Sequence, residues 1–326
     1  MDEIVSIIVP CYNHEKYIPD FIEGLVAQTY QRIELLVCDD CSSDSSYDMF
    51  CSERERLEKR FEKVFIIRNE TNCGITITAN KLIREASGKY IKLIASDDIL
   101  WPEYIEEVVN AFCDDESIDV IVTNGISVED SFRYKKSVAL TDEKLVYKKN
   151  PDFSTNLFER LYEGNFIFAP GMIFKTYLFD ECGMFDESIQ IEDWEYVLRL
   201  AQKGKKFLFY DKPLVYYRKS LNSATSMVNN TNFEKRRITV FTSELKILDN
   251  YGDYIDPSKK IARRVQYLSD TANFAYQNRF NRLMELVKTQ SVFSFNDIRI
   301  MGIALFLRIR IKMHLRNAYY FIGKLV

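Results

Sequence analysis

The chain has 326 residues, 47% of them hydrophobic, and a formal net charge of −4 at pH 7. That much apolar sequence can bury the core of one large domain or two modest ones, which excludes a disordered chain. The acidic balance offers no basic face of the kind that phosphate backbones select, so nucleic acid is not expected as a partner.

Seven cysteines are scattered along the chain, and the opening "MDEIVSIIVP" has neither a basic n-region nor a cleavable apolar core. The expectation is a protein made and kept in a reducing cytoplasm. Cys38 and Cys41 form a single "CDDC". No second such pair follows and the only histidines are His14 and His314, so cysteines packed at a strand end are preferred to a zinc or redox site.

In chain order, "VSIIVP", "IELLVCDD", "VFIIRN", "YIKLIASDD" and "IDVIVTNG" are short runs rich in Ile and Val, as strands buried on both faces should be. Between them, "KYIPDFIEGLVAQ", "YDMFCSERERLEKRF", "TITANKLIREA" and "PEYIEEVVNAF" repeat apolar residues at helical spacing, with Pro102 suited to the first position of the fourth helix. The alternation predicts an α/β fold: a Rossmann-like, mostly parallel sheet flanked by helices. Such sheets bind ligands outside the carboxyl ends of their strands. The polar residues there are Pro10, Tyr12 and Asn13 after the first strand, Asp39 and Asp40 after the second, Asn69 after the third, and Asp97 and Asp98 after the fourth.

The turn "PCYNHEKYI" contains no glycine, which disfavours both a dinucleotide fingerprint and a P-loop. Phosphates would then need another counter-charge. A divalent ion held by carboxylate oxygens supplies one, so Asp97 and Asp98 are expected to hold Mg or Mn and, through it, a diphosphate. Capping is the competing use of these residues: Asp97 or Asp98 could cap the helix after "ILWPEY", and Ser42 or Asp44 the one after "DDCSSDSS".

"VSIIVPCYNHEKYIPDFIEGLVAQTYQRIELLVCDDCSSDSS", then "NETNCGITITANKLIREASGKYIKLIASDD", then "GMFDESIQIEDWEYVLRLAQKG" together resemble the inverting family 2 glycosyltransferases of GT-A fold, from about Val5 to Thr225. The resemblance implies that Pro10 to Tyr12, with Asn13 beside them, and Asp40, with Asp39 nearby, hold the base of a nucleotide, usually uridine. It places Asn72 and Gly74 in the loop bordering the diphosphate, with Asn80 on the helix behind. Asp98 would bind the metal and Asp97 the ribose or the metal. Glu192 and Asp193 match an acidic pair in which Asp193 is the catalytic base. Capping of helix "EDWEYVLRLAQKG" is the other use of Asp193, and Trp194 is either core or a wall for a sugar ring. The donor implied is a UDP-sugar and the acceptor a glycan or lipid-linked molecule in bacterial surface polysaccharide synthesis.

Inverting transfer needs one carboxylate to take the acceptor's proton and positive charge to stabilise the leaving diphosphate. Two departures from the family stand out. Ser220 occupies the place of a His that often follows the Tyr-Arg pair, here Tyr217 and Arg218, which leaves a third metal ligand open. Arg218 is then either a diphosphate contact or a solvated charge. Cys41 replaces a common glycine. Acceptor choice is expected to rest on residues between Asn165 and Gln190. A sugar-nucleotide nucleotidyltransferase would want a glycine-rich basic loop after the first strand, and a silent nucleotide- or glycan-binding protein of this fold would have no need of Asp40, Asp97, Asp98 and Asp193 together.

Residues 1–229 are expected to form the catalytic domain, with a nucleotide-sugar half over about 1–125 and an acceptor half over about 126–229. Residues 230–326 read as a helical C-terminal extension. Its last stretch carries Arg299, Arg308, Arg310, Lys312, Arg316 and Lys324, with no acid after Asp297. A basic amphipathic helix of that kind can lie on the cytoplasmic face of a membrane or pack on a second subunit in an oligomer.

Overall fold

The structure is a computed structural model that describes residues 3–134, 144–219, 233–278 and 281–290. The chain divides into two compact units, Met1–Val228 and Asn229–Val326. The first begins β1 (Val5–Cys11), α1 (Ile18–Val26), β2 (Ile33–Asp39), α2 (Ser46–Ser52), α3 (Arg54–Arg60), β3 (Lys63–Arg68), α4 (Ile75–Glu85) and β4 (Tyr90–Leu93). It continues through β5 (Ile99–Leu100), α5 (Tyr104–Asp114), β6 (Val120–Glu129), α6 (Leu157–Glu163), β7 (Met172–Lys175), α7 (Tyr177–Glu181), α8 (Glu192–Gln202) and β8 (Phe207–Lys219).

The strands form one sheet in the order β3-β2-β1-β4-β7-β6-β8-β5. Strands β1 to β4 are mutually parallel, and β6 is parallel to β8. Antiparallel pairing joins β4 to β7, β7 to β6 and β8 to β5. The four βα units expected from Ile- and Val-rich runs thus make one parallel block, and the rest of the sheet is mixed. Strands β1 and β2 are buried throughout, as a doubly covered strand requires. At the sheet's edge, β3 exposes Lys63 and Arg68, so the expectation of burial on both faces does not extend to it.

Three local expectations are corrected. The run 47–61 is two helices that meet at Glu53. Pro102 precedes the cap residue Glu103 of α5, whereas a proline does sit in the first turn of α1. Asp97 and Asp98 cap nothing, because β5 stands between them and α5. Helix α1 reaches β5 closely at Gly24, where a Cβ would meet Ile99 Cγ2 at 2.5 Å. Only glycine fits that crossing.

In the second unit, α9 (Phe233–Tyr251), α10 (Pro257–Gln277) and α11 (Asn281–Gln290) bury Phe241, Leu245, Tyr267, Leu268 and Leu283. Phe241 and Tyr267 stack with centroids 5.6 Å apart. Among the described residues no helix is long and apolar enough to cross a membrane. The basic stretch after Asp297 lies outside the described residues.

Candidate active site

Because β1 to β4 are parallel, their carboxyl ends bring four loops to one edge, and short polar side chains tie these loops together. Asn13 adopts a left-handed conformation with φ 54°. Its N–H donates to Ser42 Oγ at 2.9 Å, and its Oδ1 accepts the Ser43 N–H at 2.8 Å. Pro10 is buried within β1, whereas Tyr12 leaves its side chain 46% exposed at this edge.

The two aspartates after β2 have different work. Asp39 is 1% exposed, accepts the Ser42 N–H at 3.0 Å and faces Arg68 Nε at 3.3 Å. Asp40 accepts Asn69 Nδ2 at 2.9 Å and the backbone N–H groups of Cys73 and Gly74, each at 2.8 Å. That carboxylate orders loop 69–74 at the start of α4. Gly74 has φ +86° there, a region that favours glycine, while Asn72 is exposed. The thiol of Cys38, buried within β2, is pushed up to about 12 by desolvation, and all seven cysteines are free.

Strand β4 stops at Leu93, and the chain turns through Ser96, Asp97 and Asp98 before β5. Asp98 is 3% exposed and accepts the Arg218 N–H at 3.0 Å. Burial first, and then the charge of Asp97, raise its pKa well above the carboxylate range, with Arg218 and Lys92 acting in the opposite sense. Lys92 is fully buried in β4. Its Nζ donates to the carbonyls of Pro170 and Met172, and desolvation lowers its pKa to about 7.

Arg218, expected as a diphosphate contact or a solvated charge, is neither. It is 1% exposed and its guanidinium donates to the carbonyls of Asp97 at 3.0 Å, Phe132 at 2.7 Å and Asp130 at 3.2 Å, with Asp20 Oδ2 3.5 Å away. Five donors in a rigid fork suit this bracing of three segments. Ser220 lies outside the described residues.

His14, set aside when zinc was considered, belongs to this edge. Its Nδ1 lies 2.8 Å from Ser96 Oγ and its Nε2 4.0 Å from Asp97 Oδ2. Nothing in the local sequence around His14 signals that meeting, which comes from the parallel pairing of β1 with β4.

The second acidic pair opens α8. Its cap residue is Ile191, so Glu192 and Asp193 occupy the first turn. Asn165 Nδ2 donates to Asp193 Oδ2 at 3.1 Å. Burial raises the pKa of Asp193; burial and the Asp193 charge push Glu192 up to about 8. Trp194, read as either core or a wall for a sugar ring, is 5% exposed, and its Nε1 donates to Leu161 O at 2.7 Å. It is core, anchoring α8 on α6.

Helix α4 ties the second acidic pair to the parallel block. Its buried polar residues hold the segment that leads into α8: Thr76 Oγ1 donates to Ile189 O at 3.1 Å, Asn80 Nδ2 to Phe185 O at 2.9 Å, and Phe185 N–H to Asn80 Oδ1 at 3.1 Å. Polar residues on the apolar side of an amphipathic helix were the sequence signal for this tie.

Two adjacent carboxylates are hard oxygen donors, the set that Mg and Mn take, and Mg commonly uses one or two carboxylates with water and phosphate completing the shell. Among the described residues no group of three or more His, Cys, Asp or Glu could hold a metal alone. A cation at Asp97 and Asp98 would relieve the repulsion that raises Asp98, so these residues fit it.

The mixed α/β sheet, with a carboxylate pair beyond a parallel strand, has counterparts among known proteins. The solved structure of S. aureus TarS 1-349 in complex with UDP-GlcNAc superposes with TM-score 0.54 at 19% identity, covering 81% of this chain and 80% of that one. Mannosyltransferase PcManGT from Pyrobaculum calidifontis, in complex with GDP-Man and Mn2+, gives 0.56 at 14%, covering 95% and 81%. The fold is GT-A. Glycosyl transferase family 2 matches residues 6–183, and the chain belongs to that family. Glycosyltransferase GlyA of Streptococcus pneumoniae serotype 4 is 26% identical over 306 residues, 89% of this chain. The chain spans about half the length of the first curated relatives it matches, 42% and 55%.

Proposed function

We propose that this chain transfers a hexose, with inversion, from UDP to a hydroxyl of a glycan or lipid-linked acceptor, using Mn or Mg at Asp97 and Asp98. The observation that carries the reading is the pair of separate acid sites, one at the end of β4 and one opening α8, the second tied through α4 to the parallel block. A bound divalent ion supplies positive charge to the leaving diphosphate.

The chain's own residues do the rest. Tyr12 offers a ring face for the base, Asp40 shapes the pocket by ordering loop 69–74, and Arg218 fixes the turn that presents Asp97 and Asp98. Asp193 takes the acceptor's proton, with Asn165 orienting the carboxylate. Its raised pKa makes it a stronger base than an ordinary aspartate, while Glu192 beside it is held neutral below about pH 8.

Structures of this fold with bound UDP-GlcNAc and with GDP-Man and Mn2+ support a nucleotide-sugar donor and a divalent ion. The test is calorimetric titration with UDP, GDP and dTDP, each with Mn and then with excess chelator. Metal-dependent binding selective for UDP is expected. If GDP or dTDP wins, the donor assignment moves; if none binds to folded protein, the reading fails.

A further inference from the structure

A hollow of about 510 Å³ is lined by Ser127, Glu129, Lys144, Lys148, Tyr217 and Lys219 with two apolar neighbours, and by neither acid pair. Sheet register builds its floor. β6 and β8 pair in parallel with Ser127 opposite Tyr217 and Glu129 opposite Lys219. Side chains alternate across a sheet, so these four share one face and Val128 and Arg218 take the other. Leu145 bridges Ile126 in antiparallel fashion, and the Val146 N–H donates to Gly125 O at 2.9 Å, which lays segment 144–148 along β6 as the wall.

The lining has three lysines and one acid, a net of +2, in a chain of net charge −4. Among the described residues none of the three lysines has a salt bridge or a named partner. The wall is tied to the general base by one turn: Tyr147 Oη donates to Phe166 O at 2.7 Å and accepts the Phe168 N–H at 2.6 Å, and Asn165 of that turn donates to Asp193. Arg218, which braces the Asp97–Asp98 turn, points its side chain to the opposite face of β8. The volume lies in the range of small-ligand sites.

We propose that this hollow is an anion subsite that binds a phosphate group of the acceptor, and so selects a phosphorylated acceptor over a neutral glycan. The assignment rests on the transfer reading above. It gives the acceptor half a positive site of its own, separate from the donor's diphosphate.

The experiment is titration of the full chain with inorganic pyrophosphate, with and without saturating UDP and Mn. Pyrophosphate is expected to bind equally in both conditions, and Lys148→Glu and Lys219→Glu are each expected to weaken it by about tenfold or more. Lys59→Glu, the same charge change at an exposed position on α3, should leave that affinity as it is. Circular dichroism confirms folding, and Lys148→Gln with Lys219→Gln replaces any charge reversal that unfolds. Displacement of pyrophosphate by UDP overturns the proposal, as does unchanged affinity in every lysine variant. If UDP fails to bind while pyrophosphate still depends on Lys148 and Lys219, the anion subsite stands and the transfer reading falls.

Discussion

The two sides of the proposed site, donor and acceptor, are held in different ways. On the donor side, four consecutive βα units deliver their loops to one edge, and the ties among them, from Ser42 to Asn13 and Ser96 to His14, join neighbours in a single parallel block. On the acceptor side, Glu192 and Asp193 ride on one turn of α8. That turn depends on contacts far away in sequence: Asn80 to Phe185, Thr76 to Ile189 and Trp194 to Leu161. The proposed donor edge is a product of sheet topology, whereas the proposed base is placed by a few individual hydrogen bonds. Substitutions should therefore separate nucleotide binding from turnover.

The largest separation is expected from Asp193→Asn. Removing a general base costs roughly a thousandfold in transfer rate, while calorimetric affinity for UDP with Mn stays near that of the parent. Asp98→Ala should do the reverse, weakening metal-dependent UDP binding by at least about 10–100-fold, the scale already reached when only a hydrogen-bond partner of a metal ligand is lost. Equal loss of nucleotide affinity in both variants would remove the proposed division of labour.

The long-range ties make a subtler target. Asn80→Ala leaves the Phe185 N–H and C=O without their side-chain partners, at about 1–3 kcal/mol for each buried group left unpaired. The expectation is a lower melting temperature and a kcat reduced by about tenfold, with UDP affinity little changed, because productive geometry tolerates small displacements poorly. A fall in UDP affinity as large as the fall in kcat would place Asn80 in the donor site instead.

How far the sequence anticipates this arrangement follows from the same contrast. The parallel block was readable because Ile and Val runs alternate with amphipathic helices, a signal local to each segment. β5 is two residues and β7 four, too short for periodicity to declare. β8 was hidden by Asp211, Lys212 and Pro213, which interrupt its apolar pattern and sit at a register shift against β6. Adjacent acids were visible at Asp97–Asp98 and Glu192–Asp193, but their environments were not. Arg218 read as a diphosphate contact or surface charge because burial of a guanidinium depends on three carbonyls from two segments distant in sequence. His14 read as isolated because Ser96 is 82 residues away.

The smallest expected effect concerns Glu192, and it tests whether the base pair shares its protons as proposed. Burial and the Asp193 charge push Glu192 to about 8, so near neutral pH it is a neutral partner and Asp193 carries the charge. Gln is neutral with almost the same shape, and Glu192→Gln should change transfer at pH 7 by no more than about twofold. The stability profile is the sharper readout. A carboxyl whose folded pKa exceeds its unfolded value near 4.5 binds more protons folded than unfolded between the two values. Stability from that group is complete below about pH 4.5 and lost as pH rises towards 8. Asp98 and Asp193 are raised in the same direction, but they remain in both proteins. The difference between parent and variant therefore reports Glu192 together with its effect on Asp193. The variant's advantage in melting temperature should grow from acid towards pH 8 and then level off; a constant difference would mean that Glu192 titrates as in the unfolded chain, so that near neutral pH Asp193 works beside a second negative charge.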